Sequence, residues 1–88
     1  MELVTDIQNM NDLIAPRDGI RFVFYARDTA TTSGIPPVTT NDIRAFVFLF
    51  NWANVYHFQV LMSANYGENK TWTRSSIPGS GWSNWAEK

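Results

Sequence analysis

The 88-residue sequence contains no cysteine and a single histidine. The missing cysteines exclude a disulfide framework and a thiolate metal site, and one histidine without a second ligand at metal spacing does not predict a structural metal. A domain this short buries little surface and usually needs a disulfide, a metal or association with other copies to be stable. Because neither a disulfide nor a metal is predicted, we expect copies of the chain to associate, and we expect no cofactor.

Charged side chains are also scarce, at 17% of the residues with a net charge of -1. This balance does not predict electrostatic binding to nucleic acid or to a membrane surface. No apolar run approaches the ~20 residues that span a bilayer, and no segment resembles a signal peptide. We expect one domain over residues 1–88, with residues 1–14 as an N-terminal arm and with neither nucleic acid nor membrane insertion among its partners. The chain is compatible with being a fragment of a longer polypeptide.

Aromatic and β-branched residues are abundant, above all between residues 44 and 62. Residues 45–50 and 55–62 are two apolar runs without glycine or proline, a composition that favours strands. Between them, residues 51–54 have an asparagine at each end, which is turn chemistry. The segment therefore predicts an antiparallel hairpin.

Strand alternation assigns the hairpin side chains to two faces. In the first strand Phe46, Phe48 and Phe50 share one face, and apolar residues also occupy the other. An antiparallel sheet usually leaves one face in water, so we expect a second layer of this chain or a neighbouring copy to cover the first strand. The opposite face of the first strand carries Ala45, Val47 and Leu49. One face of the second strand carries Tyr56, Phe58, Val60 and Met62, and its other face carries His57, Gln59 and Leu61.

The remaining chain predicts a mainly β fold. Residues 2–14 have apolar residues near helical spacing but many turn formers, which predicts one or two helical turns at most. Residues 20–27 and 71–74 alternate as strands. Residues 28–42, rich in threonine and proline, form a long loop, which is either a mobile linker or a receptor-contacting loop. The predicted fold class is a small antiparallel sheet domain with a short N-terminal helical turn.

Catalytic patterns are weak. The eight carboxylates all fall in predicted turns, loops or termini, and glycoside hydrolysis needs two of them facing each other across a sugar. His57 lies within a predicted strand, where it is either a packed residue or a polar contact, and a triad would require partners that the sequence does not place. We therefore expect no enzymatic activity, with a fragment of a glycan depolymerase kept as an alternative.

Exposed aromatic rings are the strongest functional signal. Trp52 lies in the predicted hairpin turn, and Tyr66 and Trp72 flank the next turn. Rings of this kind either stack on the apolar face of a sugar or pack in the core and between subunits. The candidate glycan-binding residues are Trp52, Tyr66, Trp72, Arg74 and His57.

The C-terminal third resembles a known family. The sequences T-W-T-R (residues 71–74) and G-W-S-N-W (81–85) are similar to the closing pattern of the pyocin-knob domains, and Trp82 and Trp85 match the aromatic positions of that motif. The segments N-M-N-D-L-I-A-P-R-D-G-I (9–20) and Y-H-F-Q-V-L-M (56–62) resemble the family's first segment and the strand before its tryptophan region. The resemblance covers residues 9–85.

This resemblance implies a homotrimeric knob at the tip of a phage tail fibre or of a phage-tail-like bacteriocin fibre. Such a domain would belong to the virion, would act outside the cell, and would bind a host cell-surface polysaccharide such as lipopolysaccharide or a wall polymer without catalysis. The first alternative is a structural domain that trimerises or caps a fibre and has no ligand.

Overall fold

The computed structural model describes residues 1–65 and 68–88, in which one β-sheet organises the chain. Its strands follow the order β1-β2-β3-β4-β5-β6, and β7 also pairs with β5. Strands β2 to β5 are antiparallel neighbours, whereas β1 is parallel to β2. The predicted mainly β class is confirmed, with a mixed sheet in place of the expected antiparallel one. The elements are β1 (Glu2–Val4), a 3₁₀ turn (Met10–Asp12), β2 (Ile20–Asp28), a second 3₁₀ turn (Thr29–Thr31), β3 (Asp42–Trp52), β4 (Tyr56–Ser63), β5 (Thr71–Ile77), β6 (Gly81–Trp82) and β7 (Ala86–Glu87).

The predicted hairpin is formed by β3 and β4. The predicted turn at residues 51–54 was placed too early, because β3 continues through Trp52, which pairs with Tyr56. Ala53 and Asn54 adopt positive φ angles of 57° and 61°, and the amide of Val55 donates to the carbonyl of Trp52 at 3.2 Å. The left-handed backbone at two successive residues reverses the chain within three residues and leaves Trp52 in the sheet.

One face of the sheet forms the hydrophobic core. Strand alternation directs the smaller apolar side chains of the central strands to this face, and the two long connections cover it. Met10, Leu13 and Ala15 come from the N-terminal segment, while Ile35 comes from the loop after β2. The sheet residues buried on this face are Val4, Val23, Tyr25, Ile43, Ala45, Val47, Leu49, Leu61 and Trp72.

The N-terminal segment contains one short helical turn, within the one or two turns expected, but it begins with a strand that was not predicted. Residues 2–4 form β1 on the edge of β2, and only Met10–Asp12 is helical. Arg21 holds β1 in place, since its Nε and Nη2 donate to the carboxylate of Glu2 at 2.9 and 2.8 Å. Asn9 caps the short turn by accepting from the amide of Asn11. Edge pairing satisfies backbone groups that a short isolated helix would leave to water, so the strand is preferred.

The loop at residues 32–41 is anchored to the domain, which does not match the mobile-linker interpretation. Pro36 is fully buried, and Ile35 packs against the core. The amide of Met10 donates to the carbonyl of Ser33, and the amide of Ser33 donates to the carbonyl of Gln8. The loop and the N-terminal segment therefore form one covering layer.

The opposite face of the sheet carries all six phenylalanines of the chain, and we call it the phenylalanine face. The strand register aligns these residues across β2, β3 and β4. The rings of Phe22 and Phe48 stack with centroids 4.1 Å apart, yet each side chain remains 37% exposed. Within the described part of the chain, the predicted second layer covers only the core face. The phenylalanine face consists of Leu3, Ile20, Phe22, Phe24, Phe46, Phe48, Phe50, Trp52, Tyr56, Phe58, Val60, Met62 and Ile77.

Candidate functional site

A concavity of about 350 Å³ lies at the turn end of the β3–β4 hairpin, and we call it the hairpin cup. It is formed where the ends of β3, β4 and β5 meet, so its wall combines aromatic residues with a few polar ones. Its volume falls at the lower end of the range of ligand pockets. The lining residues are Phe50, Asn51, Trp52, Tyr56, His57, Phe58, Ser75, Ser76 and Ile77.

Two aromatic rings stand at the end of the cup. Trp52 is 67% exposed and Tyr56 is 50% exposed, and they form the last pair of the β3–β4 ladder. The turn beyond them is fixed, because the amide of Ala53 donates to Oδ1 of Asp18 at 2.6 Å. A large ring presented on a fixed strand end offers a stacking surface at low cost in conformational entropy.

Three polar residues of the cup belong to the opposite face of the sheet, since the register pairs Asn51 with His57 and His57 with Ser76. His57 is half-buried and pairs with Ser76 across β4 and β5. Nδ1 of His57 and Oδ1 of Asn51 are buried and have no hydrogen-bond partner among the described residues. Both atoms lie on the core face, where Nδ2 of Asn51 donates to the carbonyl of Ala15, so they do not face the rings of Trp52 and Tyr56. Ser75 pairs with Phe58 on the phenylalanine face, and the cup can therefore combine ring stacking with hydrogen bonding to this serine.

The candidates predicted from sequence do not form one site. Trp52 and His57 both line the cup, but the register places Trp52 on the phenylalanine face and His57 on the core face. Trp72 and Arg74 are buried on the core face, and a glycan contact for either residue stays a prediction. Tyr66 lies outside the described residues.

Sequence analysis did not select Tyr56, Phe58, Ile77 and the two serines of the cup. The alternation of residues 56–62 already placed Tyr56 and Phe58 on one face. Their position beside Trp52 followed only from a three-residue turn, since a turn beginning at residue 51 would have moved Trp52 out of the ladder. Ser75, Ser76 and Ile77 join the cup because β5 extends three residues beyond the predicted strand at 71–74.

A second concavity, of about 410 Å³, lies between the covering layer and the C-terminal segment, and we call it the arginine pocket. The guanidinium carbon of Arg74 lies 4.2 Å from the ring centroid of Trp82 and 4.5 Å from that of Trp85. Nε1 of Trp85 donates to the carbonyl of Gly34 at 3.0 Å. The two tryptophans of the predicted family motif therefore converge on one arginine. The lining residues are Gly34, Ile35, Pro37, Arg74, Ser83, Asn84 and Trp85.

Gln59 connects Arg74 to the covering layer. Nε of Arg74 donates to Oε1 of Gln59 at 2.7 Å. The amide nitrogen of Gln59 donates to the carbonyls of Met10 and Leu13 at 2.7 and 2.9 Å. Burial lowers the pKa of Arg74 to about 10, because the charged form loses hydration.

Neither concavity presents an arrangement of metal ligands. Among residues 1–65 and 68–88, no group of three or more histidine, cysteine, aspartate or glutamate side chains could hold a metal ion. In the same part of the chain, no helix is long and apolar enough to cross a membrane.

A family described as Phage-like element PBSX protein XkdV 3rd domain matches residues 28–87, which are 60 of the 88 residues. The matched segment contains the lining residues of both concavities. The chain matches no curated protein and no solved structure. The match confirms the predicted connection to phage-like elements, while membership of the pyocin-knob family stays a prediction. Because the matched segment spans more than half of the chain, the chain belongs to the family of the third domain of the phage-like element PBSX protein XkdV.

Proposed function

We propose that this domain of a phage-like structural protein recognises a host cell-surface glycan at the tip of a tail fibre and mediates adsorption. The supporting observation is the hairpin cup, in which two exposed rings, those of Trp52 and Tyr56, are presented at a fixed strand end. The glycan class is a polysaccharide such as lipopolysaccharide or a wall polymer. In this proposal the domain is a virion component that acts outside the cell, as the pyocin-knob resemblance also implies.

The chemistry of the cup suits a neutral sugar. The apolar face of a pyranose ring stacks on an aromatic ring, and Trp52 and Tyr56 offer such rings at the rim. Sugar hydroxyls both donate and accept hydrogen bonds. Ser75, which lines the cup and pairs with Phe58 on the phenylalanine face, would bind them. The lining contains no carboxylate, and we propose that the domain performs no catalysis.

Adsorption to host cells by the purified domain tests this function. Trp52→Ala removes the most exposed ring of the cup, and we expect binding to weaken about tenfold or more, as for a central interface anchor. Val55→Ala is the matched control, since Val55 is exposed in the adjacent turn but does not line the cup. Equal adsorption by Trp52→Ala and the unmodified domain would remove the cup from the site.

A second candidate function is structural, namely a domain that trimerises or caps a fibre, and the phenylalanine face favours it. Nine large side chains on this face are 37–72% exposed. Together they expose on the order of 900 Å², taking about 200 Å² for a whole large side chain. The largest apolar patch of a monomer is typically ~300–600 Å², and a stable interface buries ~800 Å² from each partner.

In this second candidate, we propose that the phenylalanine face is where copies of the chain meet in a homotrimer. Five of its nine exposed side chains also line the cup, so burial of the whole face would cover the cup and replace glycan binding there. Phe48→Asp places a charge in the middle of the face, and we expect sedimentation to show a trimer for the unmodified domain and a monomer for this variant. Gln8→Asp, an exposed change on the covering layer, should leave the trimer intact.

The same experiments separate the candidate functions. A trimer that adsorbs to no host surface would select the structural domain, and a monomer at every concentration would contradict the trimer. Shortening of host polysaccharide during incubation would favour the depolymerase alternative instead.

A further inference from the structure

Among the residues that the structure describes, Arg74 is the only buried arginine, with 6% of its surface exposed. No carboxylate among the described residues forms an ion pair with it. Burying a charge is costly unless the charge is paired and hydrogen-bonded, so its surroundings require explanation. The cations that do form ion pairs are Arg17, Arg21, Arg44 and Lys70.

The surroundings of Arg74 are only partly complete. The rings of Trp82 and Trp85 contact the guanidinium and favour its positive charge through their π-electrons. Gln59 accepts from Nε. Nη2 is buried and has no hydrogen-bond partner. The guanidinium therefore has unused donor capacity and an uncompensated charge, beside a concavity of about 410 Å³ that it helps to line.

We propose that the arginine pocket binds a carboxylate group of a ligand. A guanidinium presents parallel N–H donors that match the two oxygens of a carboxylate in one plane. One carboxylate neutralises the single charge of Arg74, whereas a phosphate group with a charge of about −1.5 to −2 would leave excess negative charge in a buried site. Asn84 is exposed at the pocket and supplies a further polar side chain for the rest of the ligand.

The electrostatics agree with this assignment. Loss of hydration lowers the pKa of Arg74 to about 10. An adjacent carboxylate favours the charged form and would raise the pKa again. The carboxylate has two chemical sources, an acidic sugar or a simple organic acid, and both present the same group to Arg74.

The test uses the purified full chain and nuclear magnetic resonance at constant ionic strength. The side-chain Nε–H of Arg74 and the indole N–H of Trp85 are followed during addition of galacturonate, galactose, acetate and inorganic phosphate, each to roughly 50 mM, which detects affinities near ~1 mM. We expect galacturonate to shift both signals and galactose to shift neither. An equal response to acetate would show that the carboxylate alone is sufficient, and a response only to galacturonate would identify an acidic sugar.

Other results would overturn the proposal. These are no shift with either carboxylate, equal shifts with galactose and galacturonate, or tighter binding of phosphate than of both carboxylates. Arg74→Lys keeps the charge but loses the parallel N–H donors of the guanidinium, so binding should weaken about tenfold. Arg17→Lys, at an exposed arginine, should leave binding unchanged.

A second pair of variants keeps the proposal testable if Arg74→Lys does not fold. Asn84→Glu provides a tethered carboxylate at the pocket, and Asn84→Gln is the matched neutral control. We expect Asn84→Glu to block the response to acetate and to melt about 4 °C higher than Asn84→Gln. This difference should disappear as the pH falls below the ionisation range of glutamate, near ~4. Equal melting and equal acetate binding in the two variants would contradict the proposal.

This inference does not depend on glycan recognition at the hairpin cup. Trp52→Ala should leave the response to galacturonate unchanged, because Trp52 lines the cup and not the arginine pocket. Loss of cell adsorption and loss of carboxylate binding are therefore separate observations.

Discussion

The two faces of the sheet use different residues for different purposes. The core face bears small and branched apolar side chains beneath the covering layer, and Val23, Val47 and Leu61 are completely buried there. The phenylalanine face bears the larger rings and remains open to solvent in the single chain. Side-chain hydrophobicity therefore does not decide which face becomes the core. The chain connections decide it, because both long connecting segments pack on the same side.

The faces also differ in their polar content. The core face includes Gln59 and Arg74 in a hydrogen-bonded network that reaches the carbonyls of the N-terminal segment. Directed hydrogen bonds of this kind fix one arrangement of the covering layer. Among the described residues, no such network lies at the centre of the phenylalanine face, and its apolar surface suits contact with another apolar surface.

The sharpest comparison is between two neighbouring residues of β3. Leu49→Ala removes a side chain buried in the core and should cost about 2–5 kcal/mol of the free energy of unfolding. Phe48→Ala on the opposite face should cost about 1 kcal/mol or less in the dissociated chain, because exposed surface substitutions have small effects. Urea denaturation at a concentration below association measures both. An equally large loss for Phe48→Ala would show that the phenylalanine face is already covered within one chain.

A smaller effect is expected at Gln59. Gln59→Leu keeps an apolar body but removes the donor to two backbone carbonyls and the acceptor for Arg74. Leaving buried polar groups unpaired should lower the free energy of unfolding by about 2 kcal/mol. Hydrogen exchange should accelerate first in the amides of residues 10–13. Gln8→Leu changes an exposed glutamine of the same segment and is expected to be nearly neutral.

The covering layer can be tested at Gly34. Gly34 and Gly79 have positive φ angles of 69° and 80°, but only at Gly34 would an added Cβ meet side chains, with Oδ1 of Asn9 at 2.8 Å. Gly79→Ala should cost about 1 kcal/mol for backbone strain. Gly34→Ala should cost roughly 1 kcal/mol more, since Asn9 must also release the 3₁₀ turn that it caps. Thermal unfolding of the two variants gives the difference, and identical melting would mean that the turn adapts without loss.

The smallest effect concerns the ionisation of Tyr25 within the core. Its hydroxyl donates to the carbonyl of Ile7, and burial raises its pKa to about 12. The neutral form is favoured in the folded chain. The resulting stabilisation is complete below the usual tyrosine pKa near ~10 and is lost as the pH rises toward 12. Ultraviolet titration should show a late tyrosinate transition that is absent in Tyr25→Phe; its persistence in that variant would assign the transition to another group.

Several features of the fold were predictable because they depend on local chemistry. The hairpin, the two-faced alternation of β3 and the strand at residues 20–27 follow from apolar periodicity. Strand β1 was not predicted, since three residues have no period of their own and depend on the edge of β2. Trp52 was predicted in the hairpin turn but belongs to strand β3. The residue types of Ala53 and Asn54 do not reveal the left-handed backbone that shortens the turn.

The structure brings the candidate site residues together only in part. Trp52 and His57 line one concavity because both belong to the hairpin, although their side chains lie on opposite faces, and a glycan contact for either stays a prediction. Trp72 and Arg74 were grouped with them by their place in the chain, and strand pairing buries both on the core face. Trp82 and Trp85 converge on Arg74 because residues 83–85 between β6 and β7 are not a strand.

By itself, the sequence determined a cysteine-free, mainly β domain with a strand that is apolar on both faces, because composition and period-two alternation are local properties. Only the tertiary structure decided which of those faces is buried, that the cup joins three strand ends, and that a lone buried arginine lines a pocket beneath the covering layer. These outcomes depend on where long connections pack and on the register of distant strands. No single stretch of the sequence contains that information.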